Sequence, residues 1–233
     1  MRNTHEALVK ITTAMAAALL LMPNVATGQD TLRVFVTSVT GNGDLSSWAD
    51  AQSSSGLAAA DAICRTRADI ALLDNPTRFV AWMSDSSNDA YCRIHNLSGL
   101  VSANCGETYL PIYAGGWVRI DGLPFTGNIG DLVEPATASA VFYPVLLDEF
   151  GNTAVAHYFT ATDADGELSD SNPVTCSEWS AADAQMVAIG SSARTTWSWS
   201  SSGSAACSSS RALLCFELGW VPTLPPFRSG GAV

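Results

Sequence analysis

The stretch Gly56-Leu-Ala-Ala-Ala-Asp-Ala-Ile-Cys64 decides the fold, because it predicts a long helix and places a cysteine on it. Alanine is the strongest helix former, and Ser54 or Ser55 just before the stretch is a favoured N-cap residue. We therefore expect a helix from Gly56 to Ala71. Apolar residues recur in it at helical spacing and are expected to face the core: Leu57, Ala60, Cys64 and Ala68.

Cys64 is one of six cysteines, and the others are Cys92, Cys105, Cys176, Cys207 and Cys215. An even number of cysteines in an exported chain indicates disulfide bonds rather than metal ligands or nucleophilic thiols. We therefore expect three disulfide bonds in this protein.

Residues 1–28 have the three parts of a secretory signal peptide. Arg2 and Lys10 supply positive charge, a short apolar run follows, and Ala26-Thr27-Gly28 predicts cleavage before Gln29. The apolar run is short for a bilayer span and no second one follows, so no integral membrane segment is expected after cleavage. The alternative is an uncleaved N-terminal helix. The predicted location is outside the cytoplasm: secreted, on the cell surface or in the periplasm.

The charge of the chain excludes some partners. It has 11 basic and 22 acidic residues, a net charge of −11, and loss of Arg2, Lys10 and Glu6 with the signal peptide would make it −12. Such a protein is repelled by nucleic-acid phosphates and by anionic membranes. Partners that are basic, neutral or presented with divalent cations remain open.

Short alternating or apolar segments predict strands at 32–37, 78–84, 117–120, 141–147, 155–160, 197–199 and 211–218. The composition of residues 85–115 and 160–176 is typical of loops. One helix with many short, mostly antiparallel strands and long loops predicts the α+β class.

These segments, taken in order, resemble the endostatin-like branch of the C-type-lectin-like fold, known from the leptospiral endostatin-like family and other exported bacterial proteins of uncharacterised function. They cover most of residues 32–218. The matching segments are Arg33–Ser38, Gly56–Cys64, Phe79–Asp85, Trp117–Gly122, Phe159–Gly166, Cys176–Ser180 and Ala212–Glu217.

The resemblance implies a nested disulfide pattern that joins Cys64 to Cys215 and Cys176 to Cys207, with a Cys92–Cys105 bond as an addition. A bond between the first helix and the end of the chain argues against two sequential domains. We therefore expect a signal peptide at 1–28, one domain at 29–218 and a flexible tail at 219–233. The chain-entropy model assigns about 5 kcal/mol to closing so long a loop.

The resemblance also implies an exported binding module without catalysis, of a kind that contacts extracellular-matrix proteins and complement regulators. The calcium-dependent sugar site of true C-type lectins is incomplete here, because the chain has Glu134-Pro135-Ala136 instead of a Glu-Pro-Asn triplet and lacks Trp-Asn-Asp. The histidine zinc site of endostatin is not matched either, since only His95 and His157 would survive cleavage. Standard mannose or galactose recognition is therefore not expected.

The segment Asp163-Ala-Asp-Gly-Glu167 offers a possible calcium site. Carboxylates at Asp163, Asp165 and Glu167 alternate around a glycine turn, as oxygen ligands do in calcium loops, and Asp170 follows. The alternative is a solvated acidic turn. No other cofactor is expected.

Trp179, Trp197 and Trp199, with Tyr158 and Phe159, could form an aromatic ligand face, because tryptophan and tyrosine provide large rigid contact areas. Burial in the core is the favoured alternative. If residues 197–199 form a strand, both tryptophan rings point to the same side.

A secreted hydrolase is the least favoured hypothesis. His95 and His157 occur among many serines and aspartates, but no Gly-x-Ser-x-Gly elbow is present. The favoured function is recognition of a protein or glycan at or beyond the cell surface, through loops between Gly122 and Trp199. A structural envelope or matrix protein without a discrete ligand is the alternative.

Overall fold

Two β-sheets and one long helix organise the described residues, which are 31–133, 141–172 and 174–219 of a computed structural model. The strands are β1 Leu32–Val36, β2 Phe79–Ala81, β3 Gly115–Arg119, β4 Pro124–Asn128, β5 His157–Phe159, β6 Met186–Ser191, β7 Gly203–Ala206 and β8 Leu214–Glu217. The helices are α1 Gly56–Ile70, α2 Ala90–Arg93, α3 Ile129–Val133 and a left-handed turn at Cys176–Trp179, together with several 3₁₀ turns. The predicted signal peptide, the Glu134-Pro135-Ala136 triplet and the tail beyond Gly219 lie outside the described residues.

The larger sheet has the strand order β2-β8-β1-β3-β4, and β1 at its centre is parallel to β3 and antiparallel to β8. Because strand side chains alternate in direction, neighbouring residues of β1 enter different cores. Phe35 packs with α1 on one face, whereas Val34 and Val36 pack on the other. Both faces are covered, which explains why Val34, Phe35 and Val36 are all apolar.

The core on the second face is built from aromatic rings. Trp82 lies 4.9 Å from Trp199 between ring centroids, and Trp117 meets Phe216 edge to face at 5.0 Å. Such pairs add about 0.5–1.5 kcal/mol each beyond the area that they bury. The indole N–H of Trp82 donates to Ser200 Oγ at 2.8 Å, so the buried polar edge of that ring is satisfied.

The three predicted disulfides are confirmed, with no free cysteine in the described chain. The Cys64–Cys215 bond joins α1 to β8 across 151 residues of sequence. The Cys176–Cys207 and Cys92–Cys105 bonds close shorter loops. The predicted helix is also confirmed, and all four residues expected on its inner face are buried.

The coarse α+β class is confirmed, but two strand predictions are wrong. Residues 141–147 form no strand; Pro144 interrupts them, and the chain contacts β1 through the Val36 N–H bond to the Leu147 carbonyl. Residues 197–199 form a 3₁₀ turn. The second sheet, of order β5-β6-β7, contains two strands that the sequence analysis missed, β6 and β7.

Candidate functional site

A polar cleft of about 180 Å³ opens between two loops. The first loop follows β2 and runs through α2 to residue 102, and the second follows β5 and contains the predicted calcium turn. The lining residues are Ser86, Asp89, Leu100, Ser102, Glu167, Leu168, Ser169 and Asp170. Hydroxyl and carboxylate groups therefore converge on one concave surface.

Asp89 connects the two loops. Its carboxylate accepts hydrogen bonds from the backbone N–H of Val101 and from that of Leu168, both at 2.8 Å. The side chain is only 2% exposed. Burial raises the pKa of this carboxyl, and the two N–H groups oppose that shift because they stabilise the charged form. Asp89 therefore links the two loops that form the walls of the cleft.

Glu167 supplies a second carboxylate at the cleft. Its pKa is raised, first by partial burial and then by repulsion from Asp165, Asp89 and Asp170. No lysine or arginine lines the described cleft. The site consequently carries a negative potential, which favours cationic groups or hydroxyl-rich ligands over anions.

The loop that holds the predicted calcium residues is closed by its own hydrogen bonds. Asp163 accepts from the Ser201 hydroxyl at 2.9 Å and from the Asp170 N–H at 3.1 Å. Asp165 accepts from the Glu167 N–H at 3.1 Å. Within the described ranges, no three acidic, histidine or cysteine side chains converge as metal ligands would. This arrangement favours the alternative of an acidic turn closed by hydrogen bonds, and the possible calcium site stays a hypothesis.

The structure separates the three tryptophans of the proposed ligand face. Trp179 and Trp199 are buried in different cores, whereas Trp197 is 57% exposed. The expectation of a shared direction for Trp197 and Trp199 is wrong because a 3₁₀ turn rotates successive side chains instead of alternating them. Trp179 donates its indole N–H to the Ser84 carbonyl at 2.9 Å. Trp179 and Trp199 are therefore core residues, and Tyr158 and Phe159 are buried as well.

The two histidines lie outside the cleft lining. His95 is buried; its Nδ1 donates to the Tyr91 carbonyl at 2.8 Å, and its Nε2 accepts from the Ala114 N–H at 3.3 Å. Burial lowers the pKa of His95, which keeps the ring neutral. Both nitrogens are therefore engaged in structural bonds. His157 is an exposed residue at the start of β5.

Sequence reasoning found Glu167 but missed Asp89, Ser86 and Ser102. The available signal was the polar run Asp85-Ser-Ser-Asn-Asp89 directly after a buried strand, where a loop on a rigid scaffold commonly carries binding residues. The predicted contact region began only at Gly122, so the first wall of the cleft fell outside it.

The fold and the cleft define a disulfide-bonded α+β protein with an acidic cleft. No protein-family model matches the sequence, and no curated protein matches it significantly. In the described part of the chain, no helix has both the length and the apolar character needed to cross a bilayer.

Proposed function

We propose that this protein is an exported, non-catalytic recognition domain that binds a protein or glycan ligand in the acidic cleft, at or outside the cell surface. The observation that carries the proposal is the pair of hydrogen bonds to Asp89. The bond from Leu168 joins the two loop walls, and the bond from Val101 holds the first wall in place. Loops that are fixed before binding lose less conformational entropy when a ligand arrives.

The proposed fold family is C-type-lectin-like and endostatin-like. Support comes from the Cys64–Cys215 bond between the long helix and the last described strand, and from the Cys176–Cys207 bond in the C-terminal half. Export is supported by the three disulfides, which form and persist in oxidising compartments.

The test combines a glycan array with binding assays on immobilised matrix proteins. We expect saturable binding that weakens about tenfold, or 1.4 kcal/mol, in Glu167→Gln and Asp170→Asn. The matched control is Asp69→Asn, because Asp69 is an exposed carboxylate of α1 outside the cleft lining. Binding that responds equally to all three substitutions would contradict the proposal.

Two alternatives give different results. A structural envelope or matrix protein would show no saturable ligand in either assay. A secreted hydrolase would show turnover in a screen of ester and glycoside substrates. The hydrolase is disfavoured because no histidine lines the cleft and both nitrogens of His95 bind backbone groups.

A further inference from the structure

The segment Tyr109-Leu-Pro-Ile-Tyr113 exposes three large side chains within five residues. Tyr109 is 82% exposed, Ile112 is 72% exposed and Tyr113 is 57% exposed. A single exposed apolar residue is ordinary, but a concentration of this kind marks an interaction surface.

This segment is held in place by buried polar groups. The Tyr91 hydroxyl donates to the Pro111 carbonyl at 2.6 Å, and the N–H of Ala114 donates to His95 Nε2. The Tyr113 ring packs edge to face on His95 at 5.0 Å between centroids. The Cys92–Cys105 bond closes the loop just before the segment. The exposed rings are therefore presented on a fixed backbone.

Tyr91 connects this segment to the turn beside the acidic cleft through its side chain and its backbone. Its hydroxyl binds Pro111, and its own backbone N–H donates to the Gly166 carbonyl at 3.0 Å, inside the acidic turn. Gly166 directly precedes Glu167, which lines the cleft. Tyr91 thus bonds to the Tyr109–Tyr113 segment and to the turn that precedes Glu167. We call the Tyr109–Tyr113 segment and the cleft together the docking surface.

The charge of the docking surface selects its partner. Carboxylates of Asp89, Glu167 and Asp170 line the cleft, and the whole chain carries a net charge of −11. Exposed tyrosine faces attract guanidinium and ammonium groups, and both tyrosine and isoleucine favour apolar neighbours. Complementary charge also accelerates encounter with a basic partner.

We infer that the docking surface binds a protein segment in which arginine or lysine alternates with apolar residues. The cationic groups would enter the acidic cleft, and the apolar residues would contact the Tyr109–Tyr113 segment. This inference rests on the proposed function, because it names the ligand class of the same cleft.

The experiment measures binding of a synthetic decapeptide of alternating arginine and leucine to the disulfide-bonded full chain by calorimetry. A peptide with glutamate in place of arginine and a neutral oligosaccharide serve as comparison ligands. We expect one-to-one binding of the arginine peptide alone. Tyr109→Ser and Ile112→Ser should each weaken it about tenfold, as truncation of an interface anchor does. Ile70→Ser is the matched control, since Ile70 is 50% exposed at the end of α1.

The outcomes separate the two proposals. Equal effects of Ile112→Ser and Ile70→Ser would overturn the docking surface, as would binding that neither Tyr109→Ser nor Ile112→Ser changes. A neutral glycan or neutral protein that binds and responds to Glu167→Gln would overturn the cationic partner while leaving the proposed function intact. If no ligand of any class responds to Glu167→Gln and Asp170→Asn, the proposed function itself fails.

Discussion

Arg93 and Asp61 together close the β2 edge of the five-stranded sheet. β2 is one of its two edge strands, and Ala81 at its end and Met83 just beyond it direct backbone groups away from β8. Arg93 donates to both of their carbonyls, at 2.7 and 2.8 Å, and forms an ion pair with Asp61. Asp61 in turn accepts from the Ala81 N–H at 2.9 Å. An exposed strand edge can pair with other chains, and this charged pair blocks it.

Replacement of Arg93 tests this edge. Arg93→Met should lower the free energy of unfolding by about 3–5 kcal/mol, because Asp61 becomes a poorly solvated charge without its partner. Urea denaturation measures the change. The exposed Arg194→Met should stay within about 0.5 kcal/mol of the unsubstituted protein. The double variant Arg93→Met, Asp61→Leu should lose less free energy of unfolding than the two single variants lose together. Strictly additive losses would contradict an interaction between Arg93 and Asp61.

The disulfides should differ in their contribution to stability. Removal of Cys64–Cys215 by alanine substitution opens a loop of 151 residues in the unfolded chain, which gains conformational entropy, and should cost about 5 kcal/mol. Loss of Cys92–Cys105, which spans 13 residues, should cost about 3 kcal/mol. Urea midpoints of the two double variants provide the comparison. A larger loss of stability for the Cys92–Cys105 variant would show that the entropy of the unfolded chain does not determine how much these bonds stabilise the protein.

Glu167 should make stability depend on pH. Its folded pKa lies above the ordinary value of 4.5, so the folded state binds this proton more tightly than the unfolded state does. The resulting stabilisation is fully present below about pH 4.5 and is lost as the pH rises through the folded pKa. Glu167→Gln should therefore be more stable than the unsubstituted protein at pH 7, and the difference should vanish at pH 4.

The measurement for Glu167 is urea unfolding at both pH values. The exposed Glu107→Gln serves as the control and should change stability by less than about 0.5 kcal/mol at either pH. An equal gain in stability for Glu167→Gln at pH 4 and pH 7 would mean that the charge of the Glu167 carboxylate does not cause the gain.

Gly166 should be far more sensitive to substitution than Gly122. Both have positive φ, +87° and +83°, so alanine is strained at either position. An added Cβ at Gly166 would lie 2.9 Å from Tyr91 Cβ and 3.2 Å from Trp82, whereas the space around Gly122 is open. We expect a loss of about 1 kcal/mol for Gly122→Ala, from backbone strain alone, and at least 1 kcal/mol more for Gly166→Ala. Similar melting temperatures for the two variants would refute the contact between Gly166 and Tyr91.

Calcium should leave the melting temperature unchanged. The carboxylates of Asp163 and Asp165 already accept hydrogen bonds from Ser201, Asp170 and Glu167, so the turn is closed without an ion. Differential scanning calorimetry with millimolar calcium and with a chelator measures this. A calcium-dependent rise in melting temperature that Asp165→Asn abolishes would show that the turn is a calcium site.

Predictions of secondary structure from local sequence patterns are correct where nearby residues determine the structure. The alanine-rich stretch forms α1, and the segment at 32–37, whose composition favours a strand, forms β1. The strand prediction for residues 197–199 is wrong. An alternating Trp-Ser-Trp pattern fits a strand, but the chain forms a 3₁₀ turn there, and the Trp199 carbonyl accepts a hydrogen bond from the Tyr158 hydroxyl at 2.5 Å. Long-range contact outweighed local preference.

The sequence by itself determined the α1 helix, the even set of cysteines and the acidic charge, because helix propensity, cysteine number and net charge belong to the chain before it folds. Tertiary structure alone decided the cleft, since Asp89 and Leu168 are 79 positions apart and meet only when two loops pack. It also decided which of Trp179, Trp197 and Trp199 reaches solvent, because burial depends on what the rest of the chain places over each ring.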